Sequence, residues 1–115
     1  MRSNAMVKHI GGPAAGGPLA VMPTAQVLAL HAELKNPLAV LAAMGGLEIA
    51  TMTGAVLQAA AERRLIVVDG FITTAAVLVA SRLQPHVLQR CVYAHRSGEP
   101  GHARMLAHLQ AQPML

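Results

Sequence analysis

Aromatic residues and charged residues are both scarce in this sequence of 115 residues. It contains one Phe, one Tyr and no Trp, and only 12% of its residues are charged, whereas 54% are hydrophobic. The core of this single small domain must therefore consist of aliphatic side chains and alanine, which buries little area per residue. Because so few residues are charged, we expect part of the surface to be covered by a second copy, as in a homodimer, or by a companion chain.

The arrangement of charge argues against two kinds of partner. The formal charge is +4, but the basic residues are scattered and no aromatic residues lie between them, whereas nucleic-acid-binding proteins concentrate such charge on one face. The adjacent pair Arg63 and Arg64 suits the C-terminal end of a helix. No apolar stretch reaches the roughly 18 to 20 residues of a membrane span, since Asp69 divides the longest candidate. We predict neither a nucleic acid nor a membrane as a partner.

Cysteine is nearly absent. The single one, Cys91, excludes an internal disulfide and is typical of a reducing compartment, so we predict a cytoplasmic protein. Its apolar neighbours predict a buried, unreactive thiol. The spacing of His95, Glu99 and His102 is too loose for a zinc-binding pattern, and we therefore predict no metal site.

The N-terminal residues are predicted to lie outside the folded domain. Met1 to Met6 (MRSNAM) is interpreted as the remnant of an expression tag. Residues 7–24 contain two Gly-Gly-Pro units among small residues, a composition that cannot bury enough surface to order itself. We predict a tag remnant and flexible arm at residues 1–24 and an α/β domain at residues 25–115.

The stretch from Leu65 to Arg82 organises the domain. Leu65 to Val68 is wholly apolar and rich in β-branched residues, Asp69-Gly70 interrupts it, and apolar residues then recur at helical spacing. This pattern is typical of a buried parallel strand, a tight turn and a helix. A second strand at Cys91 to Ala94 completes a βαβ unit. The predicted fold class is therefore α/β, with a small parallel sheet and flanking helices.

The helices are predicted from apolar periodicity and from capping residues. Asn36-Pro37 is a favourable N-cap followed by a favourable first helical residue. Gly54, inside the longest helix, costs about 1 kcal/mol relative to alanine, which is tolerable if a neighbouring backbone packs closely there. The predicted helices are Ala25 to Leu34, Pro37 to Met44, Gly46 to Arg63, Gly70 to Leu83, a short turn at Pro85 to Gln89, and Pro100 to Gln110.

Three polar loops lie at helix starts or strand ends, where the ligands of open α/β sheets bind. Gly45-Gly46 can turn free amides towards a phosphate or ribose, although a helix start without a ligand is the commoner meaning. Asp69, after the first strand, can accept hydrogen bonds from ribose hydroxyls, can cap the next helix, or can do both. His95, Ser97 and Glu99 follow the second strand. A hydrolytic triad of Ser97, His95 and Asp69 is disfavoured, since Ser97 lies outside a G-x-S-x-G motif.

Three motifs, in order and in register, resemble one enzyme family. They are GGLEIATMTG from Gly45, VDGFITTAA from Val68 and HRSGEPGH from His95. Together with the interval from Asp69 to Ser97, they resemble the nicotinate-nucleotide–dimethylbenzimidazole phosphoribosyltransferase family. The similarity runs from about Leu28 to the C-terminus, which is roughly three quarters of the chain.

The resemblance implies a cytoplasmic α/β enzyme of cobalamin lower-ligand assembly, usually dimeric, that needs no metal or other cofactor. The family transfers phosphoribose from nicotinate mononucleotide to 5,6-dimethylbenzimidazole, which gives α-ribazole phosphate and nicotinate. The matching positions would place Asp69, Gly70 and Ser97 beside the ribose and phosphate of the nucleotide. Gly45, Gly46 and His95 would support the same pocket less directly.

The chain also departs from this family. Family enzymes are several times longer, and their catalytic glutamate, in an R-L-G-E-G-like motif, would fall beyond Leu115. That glutamate takes the proton from the attacking benzimidazole. Glu48 and Glu99 do not sit in such a motif, so we assign no catalytic residue. We expect a fragment or truncated relative that keeps part of the nucleotide site and is inactive by itself. The alternative is a non-catalytic interaction or oligomerisation domain that keeps the fold.

Overall fold

The computed structural model describes residues 24–115. The chain divides after Leu47 into two compact units. The predicted tag remnant and nearly all of the predicted Gly/Pro arm lie outside the described residues. The predicted domain at 25–115 stays a prediction.

The first unit contains two short helices, α1 (Thr24–Leu30) and α2 (Pro37–Met44). Helix α2 forms as predicted, because the side-chain oxygen of Asn36 accepts hydrogen bonds from the backbone amides of Leu38 (2.9 Å) and Ala39 (3.3 Å). Helix α1 ends before the predicted boundary at Leu34, and a turn follows it. It has no acidic residue in its first turn and no basic residue in its last turn, so no charged side chain stabilises its ends.

The second unit contains a two-stranded parallel sheet and its flanking helices. Strands β1 (Ile66–Val68) and β2 (Cys91–Tyr93) pair in parallel, with Val67 opposite Val92. The helices are α3 (Leu47–Ala61), α4 (Phe71–Leu83), a 3-10 helix (Pro85–Arg90) and α5 (Pro100–His108). The predicted fold class, a small parallel sheet with flanking helices, is confirmed. The boundaries of these elements lie close to their predictions.

The core of the second unit is aliphatic apart from one tyrosine. Its buried members are Val56, Val68, Val77, Ala80, Val87, Tyr93 and Leu106. Burial raises the pKa of Tyr93 to about 12, and the neighbouring Cys91 adds to the effect. The phenol is therefore neutral at every physiological pH. The core therefore contains one aromatic ring, that of Tyr93, among valine, alanine and leucine side chains.

Strand β1 is buried on only one face among the described residues. Val68 is 1% exposed and Ile66 packs against the core, whereas Val67 is 58% exposed. Alternate side chains of a strand point to opposite faces of a sheet, so Val67 faces away from the core. The expectation of a strand buried throughout is wrong for Val67, because an unbroken apolar run does not tell which face other elements cover.

Gly54 has no close neighbour to explain it. A Cβ atom built there would meet nothing within 4 Å. The expectation that a neighbouring backbone packs closely at this position is therefore not met within the described residues.

Among the described residues, no helix is both long enough and apolar enough to cross a membrane.

The turn between β1 and α4 depends on the backbone of Gly70. Its φ of 97° and ψ of 175° lie in a region that is accessible to glycine and strongly disfavoured for other residues. A Cβ atom at Gly70 would meet nothing within 4 Å, so only the backbone conformation, and no clash, selects glycine here.

We expect Gly70→Ala to lower the free energy of unfolding by about 1–3 kcal/mol through backbone strain. Gly98→Ala is the matched control, because a Cβ atom at Gly98 also meets nothing within 4 Å and its φ lies outside the left-handed region. The control should leave the stability unchanged or raise it slightly. Urea unfolding of both variants checks this. Equal losses of stability in the two would contradict the backbone explanation.

Candidate functional site

The candidate site lies where the two parallel strands end. Asp69 follows β1 directly, and His95 and Ser97 lie in the loop after β2. The backbone amide of Ala94 donates to the carbonyl of Val68 at 2.9 Å. This bond continues the pairing of the strands to their carboxyl ends. Both loops therefore leave the sheet at the same end, as the sequence predicts.

Asp69 and His95 are in direct contact. An oxygen of the Asp69 carboxylate lies 2.9 Å from Nδ1 of His95, and their side chains are 70% and 45% exposed. Such an exposed pair adds little to stability. It does orient the carboxylate, most of which stays accessible to a ligand.

The contacts of Asp69 do not include a helix cap. The N-cap of α4 is Gly70, which makes no side-chain capping bond. The backbone carbonyl of Asp69 accepts a hydrogen bond from the Thr73 hydroxyl at 2.7 Å, while its carboxylate contacts His95. The capping role that the sequence left open for Asp69 is therefore not seen, and its contact with ribose stays a prediction.

Ser97 is held by a buried histidine. The backbone amide of Ser97 donates to Nδ1 of His102 at 2.9 Å, and the Ser97 hydroxyl lies 2.8 Å from the same nitrogen. His102 is 1% exposed. Because a backbone amide can only donate, Nδ1 must be the acceptor, and the proton of a neutral His102 ring must lie on Nε2.

The other ring nitrogen of His102 continues the chain of hydrogen bonds. Nε2 lies 2.9 Å from the hydroxyl of Thr74, which is fully buried. That hydroxyl lies 2.6 Å from the carbonyl of Gly70, to which it donates. The chain therefore has one direction, from Ser97 through His102 and Thr74 to Gly70. It ties the loop after β2 to the turn after β1.

The imidazole ring of His102 is uncharged in this chain of hydrogen bonds. Burial lowers the pKa of His102, and the positive charge that His95 can carry lowers it further. Protonation of Nδ1 would also break its bond from the Ser97 amide. A neutral His102 is thus a condition for the observed arrangement of the loop.

The start of α5 packs closely against the start of α4. The rings of Phe71 and His102 have centroids 6.2 Å apart and are tilted by 52°. A Cβ atom at Gly101 would lie 3.0 Å from Cζ of Phe71. The absence of a side chain at Gly101 therefore lets the ring of Phe71 approach the helix that carries His102.

Four of the predicted site residues lie at this edge. Asp69 and His95 contact each other, while Ser97 and the carbonyl of Gly70 are the two ends of the hydrogen-bond chain. Glu99 is the N-cap of α5 without a side-chain capping bond, and its amide donates to the Ser97 hydroxyl at 3.4 Å. That any of these side chains contacts a nucleotide stays a prediction.

Gly45 and Gly46 belong to the first unit, between α2 and α3. A Cβ atom at Gly45 would lie 2.6 Å from Cδ1 and 2.8 Å from the carbonyl oxygen of Leu41. The close packing against Leu41 thus explains why glycine occupies position 45 at the end of α2. Its predicted contact with phosphate or ribose stays a prediction, as does that of Gly46.

Sequence reasoning missed His102 and Thr74. Both lie within the quoted motifs, yet neither received a role. One signal could have found His102: it shares the apolar stripe of α5 with Leu106 and Leu109, at a spacing of four and then three residues. A histidine on a buried stripe needs partners for both ring nitrogens.

The surroundings of the single cysteine and of the His, Asp and Glu side chains are defined among the described residues. Among residues 24–115 no group of three or more His, Cys, Asp or Glu side chains could hold a metal ion. Both nitrogens of His102 are engaged in hydrogen bonds. Cys91 is half-buried, whereas its apolar neighbours predicted a buried thiol. Burial still raises the pKa of the thiol, which contacts the carbonyl of Val87 at 3.4 Å. These surroundings favour the unreactive thiol form.

Comparisons with known proteins agree on one family. The family model DBI_PRT, described as phosphoribosyltransferase, matches residues 20–115. The nicotinate-nucleotide–dimethylbenzimidazole phosphoribosyltransferase of Variovorax paradoxus is 68% identical over 89 residues, which are 77% of this chain and 26% of that protein. The protein of the same name from Cupriavidus taiwanensis is 58% identical over 91 residues, which are 79% of this chain and 26% of that protein. The chain belongs to this phosphoribosyltransferase family.

Solved structures show the same fold for this phosphoribosyltransferase-family chain. The enzyme of that name from Thermus thermophilus superposes with a TM-score of 0.70 and 35% identity, over 74% of this chain and 27% of that one. CobT from the same organism superposes with a TM-score of 0.75 and 28% identity, over 99% of this chain and 38% of that one. The chain spans about a quarter of the length of the curated relatives it matches, so it corresponds to a fragment or truncated relative.

We expect the stability of this phosphoribosyltransferase segment to fall as the pH drops below about 6.5, the pKa of a free histidine. The pKa of His102 is lowered in the folded state, so below that pH the unfolded chain binds a proton that the folded chain does not. His102→Gln should be less stable at pH 7 but should lose less stability between pH 7 and 5. Urea unfolding at each pH measures this.

The control variant is His108→Gln, which removes an exposed histidine from the same helix. A pH dependence in His102→Gln as steep as in the unchanged protein would show that the buried histidine is not its source.

Proposed function

We propose that this chain carries the ribose-phosphate side of the nucleotide site of a nicotinate-nucleotide–dimethylbenzimidazole phosphoribosyltransferase. The observation that supports it most is the edge where Asp69 and Ser97 leave adjacent parallel strands, each oriented by a histidine. The names of the relatives supply the substrate class. The proposed ligand is nicotinate mononucleotide.

Asp69 is the proposed partner of the ribose. A carboxylate accepts hydrogen bonds from ribose hydroxyls, and that of Asp69 is 70% exposed. His95 binds one side of the carboxylate and restricts its rotation. The accessible part of the carboxylate is then presented to the sugar without the entropic loss of ordering a free side chain.

Ser97 is the proposed partner of the phosphate. Both of its donors lie within hydrogen-bond distance of Nδ1 of His102. If the hydroxyl turns to a phosphate oxygen, the backbone amide still holds His102, so the loop keeps its position. The Ser97 hydroxyl therefore exchanges its hydrogen bond to His102 for a charge-assisted hydrogen bond to the phosphate, which is the stronger kind.

We further propose that this chain binds the nucleotide without turning it over alone. Phosphoribosyl transfer to a benzimidazole needs a base that takes the proton from the attacking ring, and neither Glu48 nor Glu99 lies in an R-L-G-E-G-like motif. The base would come from a companion chain or a longer form. A cytoplasmic location, a homodimer or companion chain, and the absence of nucleic-acid partners belong to this proposal.

One observation favours the second function, a non-catalytic interaction or oligomerisation domain. Val67, on β1, is 58% exposed, and Leu65, just before β1, is 69% exposed. Exposed apolar groups on a short sheet are typical of a surface that a partner covers. This function requires the fold but no nucleotide.

Isothermal titration with nicotinate mononucleotide distinguishes the two functions. We expect saturable binding that weakens about tenfold or more in Asp69→Ala and in Ser97→Ala, since each removes a hydrogen bond to a charged or polar ligand group. Arg104→Gln, an exposed change on α5, is the control and should bind as the unchanged chain does.

No binding at millimolar nucleotide would leave the interaction domain as the better description. A turnover assay with nicotinate mononucleotide and 5,6-dimethylbenzimidazole should show no product from the chain alone. Turnover there would overturn the proposal that the base comes from elsewhere.

A further inference from the structure

A cavity of about 350 Å³ lies in the second unit, at the end of the sheet opposite Asp69. Arg63 lies shortly before β1 and Arg90 directly before β2, and both line the cavity. The short strands separate the cavity from Asp69 by roughly 10 Å of backbone. Nothing in the proposed transfer of phosphoribose uses this end of the sheet.

The charge around the cavity is positive and uncompensated. The charged groups that line it are Arg63 and Arg90, and no acidic residue among those described does so. The nearby carboxylate of Glu62 is 3.0 Å from the guanidinium of Arg64, so it is already paired. The guanidinium of Arg90 donates a hydrogen bond to the backbone carbonyl of Arg63 at 3.3 Å, which fixes the Arg90 side chain beside the turn that carries Arg63.

Arg63 occupies a backbone position that usually holds glycine. Helix α3 ends with bonds from the Arg64 amide to the Ala59 carbonyl (2.9 Å) and from the Arg63 amide to the Ala60 carbonyl (3.0 Å). In this kind of C-terminal turn the residue with positive φ is usually Gly or Asn. Arg63 takes it with a φ of 60°, and the strained turn brings a cationic residue to the cavity.

The floor of the cavity is apolar. Leu57, Ala60 and Val87 contribute to its lining, and Val87 belongs to the buried core. The volume is at the lower end of small-molecule sites. A ligand that matches both parts has a compact apolar body and an oxyanion head, since guanidinium groups bind carboxylates and phosphates in a planar, bidentate manner.

We propose that this cavity binds a small organic oxyanion with an apolar body. The oxyanion lies between Arg63 and Arg90, and the apolar body rests on Leu57, Ala60 and Val87. This site is separate from the nucleotide edge and does not depend on it.

The test uses the full chain and two probes, phenyl phosphate and benzoate, with benzyl alcohol as the uncharged comparison. We expect at least one oxyanion to bind saturably and at least about tenfold more tightly than benzyl alcohol, because only the oxyanions gain charge-assisted hydrogen bonds. In methyl NMR spectra of the unchanged chain, the probe should shift the signals of Leu57, Ala60 and Val87. Comparison of phenyl phosphate with benzoate shows whether the cavity binds a phosphate or a carboxylate more tightly.

Arg90→Gln and Arg63→Gln should each weaken binding about tenfold or more, whereas Arg104→Gln and Asp69→Ala should leave it unchanged. No saturable binding of either oxyanion at about 10 mM, a concentration well above the Kd of even a weak site, would overturn the proposal. So would equal binding of benzyl alcohol, or methyl shifts confined to residues outside the cavity. Because the shifts are measured on the unchanged chain, the proposal stays testable even if an arginine variant does not fold.

Discussion

The buried imidazole of His102 connects the two turns from which the candidate site is built. Its Nδ1 accepts from the backbone of Ser97 and its Nε2 donates to Thr74, whose hydroxyl is bound to Gly70. A buried polar group without partners costs about 1–3 kcal/mol, so each bond in this chain supports the next. The loop after β2 and the turn after β1 are therefore held together by a chain of buried hydrogen bonds beside a mainly aliphatic core.

This arrangement follows from a few local choices in the sequence. Glycine at position 70 permits the turn, threonine at 74 returns a hydrogen bond to the preceding turn of α4, and Gly101 lets α5 approach Phe71. Two exposed side chains then remain at the edge, Asp69 beside His95. The buried chain supplies rigidity and the exposed pair supplies accessible charge, which is the division expected of a ligand-binding edge.

The elements of the fold could be predicted from local patterns. The apolar run before Asp69 predicted β1, and Asn36-Pro37 predicted the start of α2, because strand and cap signals depend on neighbouring residues. Helix α1 ended early, since its apolar residues alone do not define a C-terminus. The exposure of Val67 could not be predicted, because it depends on which elements cover the second face of the sheet.

The candidate site could be predicted only in its exposed part. Asp69, His95 and Ser97 could be placed at one edge because turn residues and strand ends are visible in sequence, and the structure brings them together there. A nucleotide contact for Gly70 was implied only by the family resemblance, and the nucleotide contacts of all four residues stay predictions. The capping role considered for Asp69 did not appear, since its carboxylate contacts His95 across the turns. His102 and Thr74 were missed because they are 28 residues apart and their contact exists only in the folded chain.

The protonation of the His102 ring decides whether this imidazole connects the two turns as the structure shows. A long-range proton–nitrogen NMR correlation of the uniformly labelled chain at neutral pH reports which ring nitrogen carries the proton. We expect a neutral ring with its proton on Nε2 and with Nδ1 as a pure acceptor. A proton on Nδ1, or a ring that averages both forms as an exposed imidazole does, would contradict it.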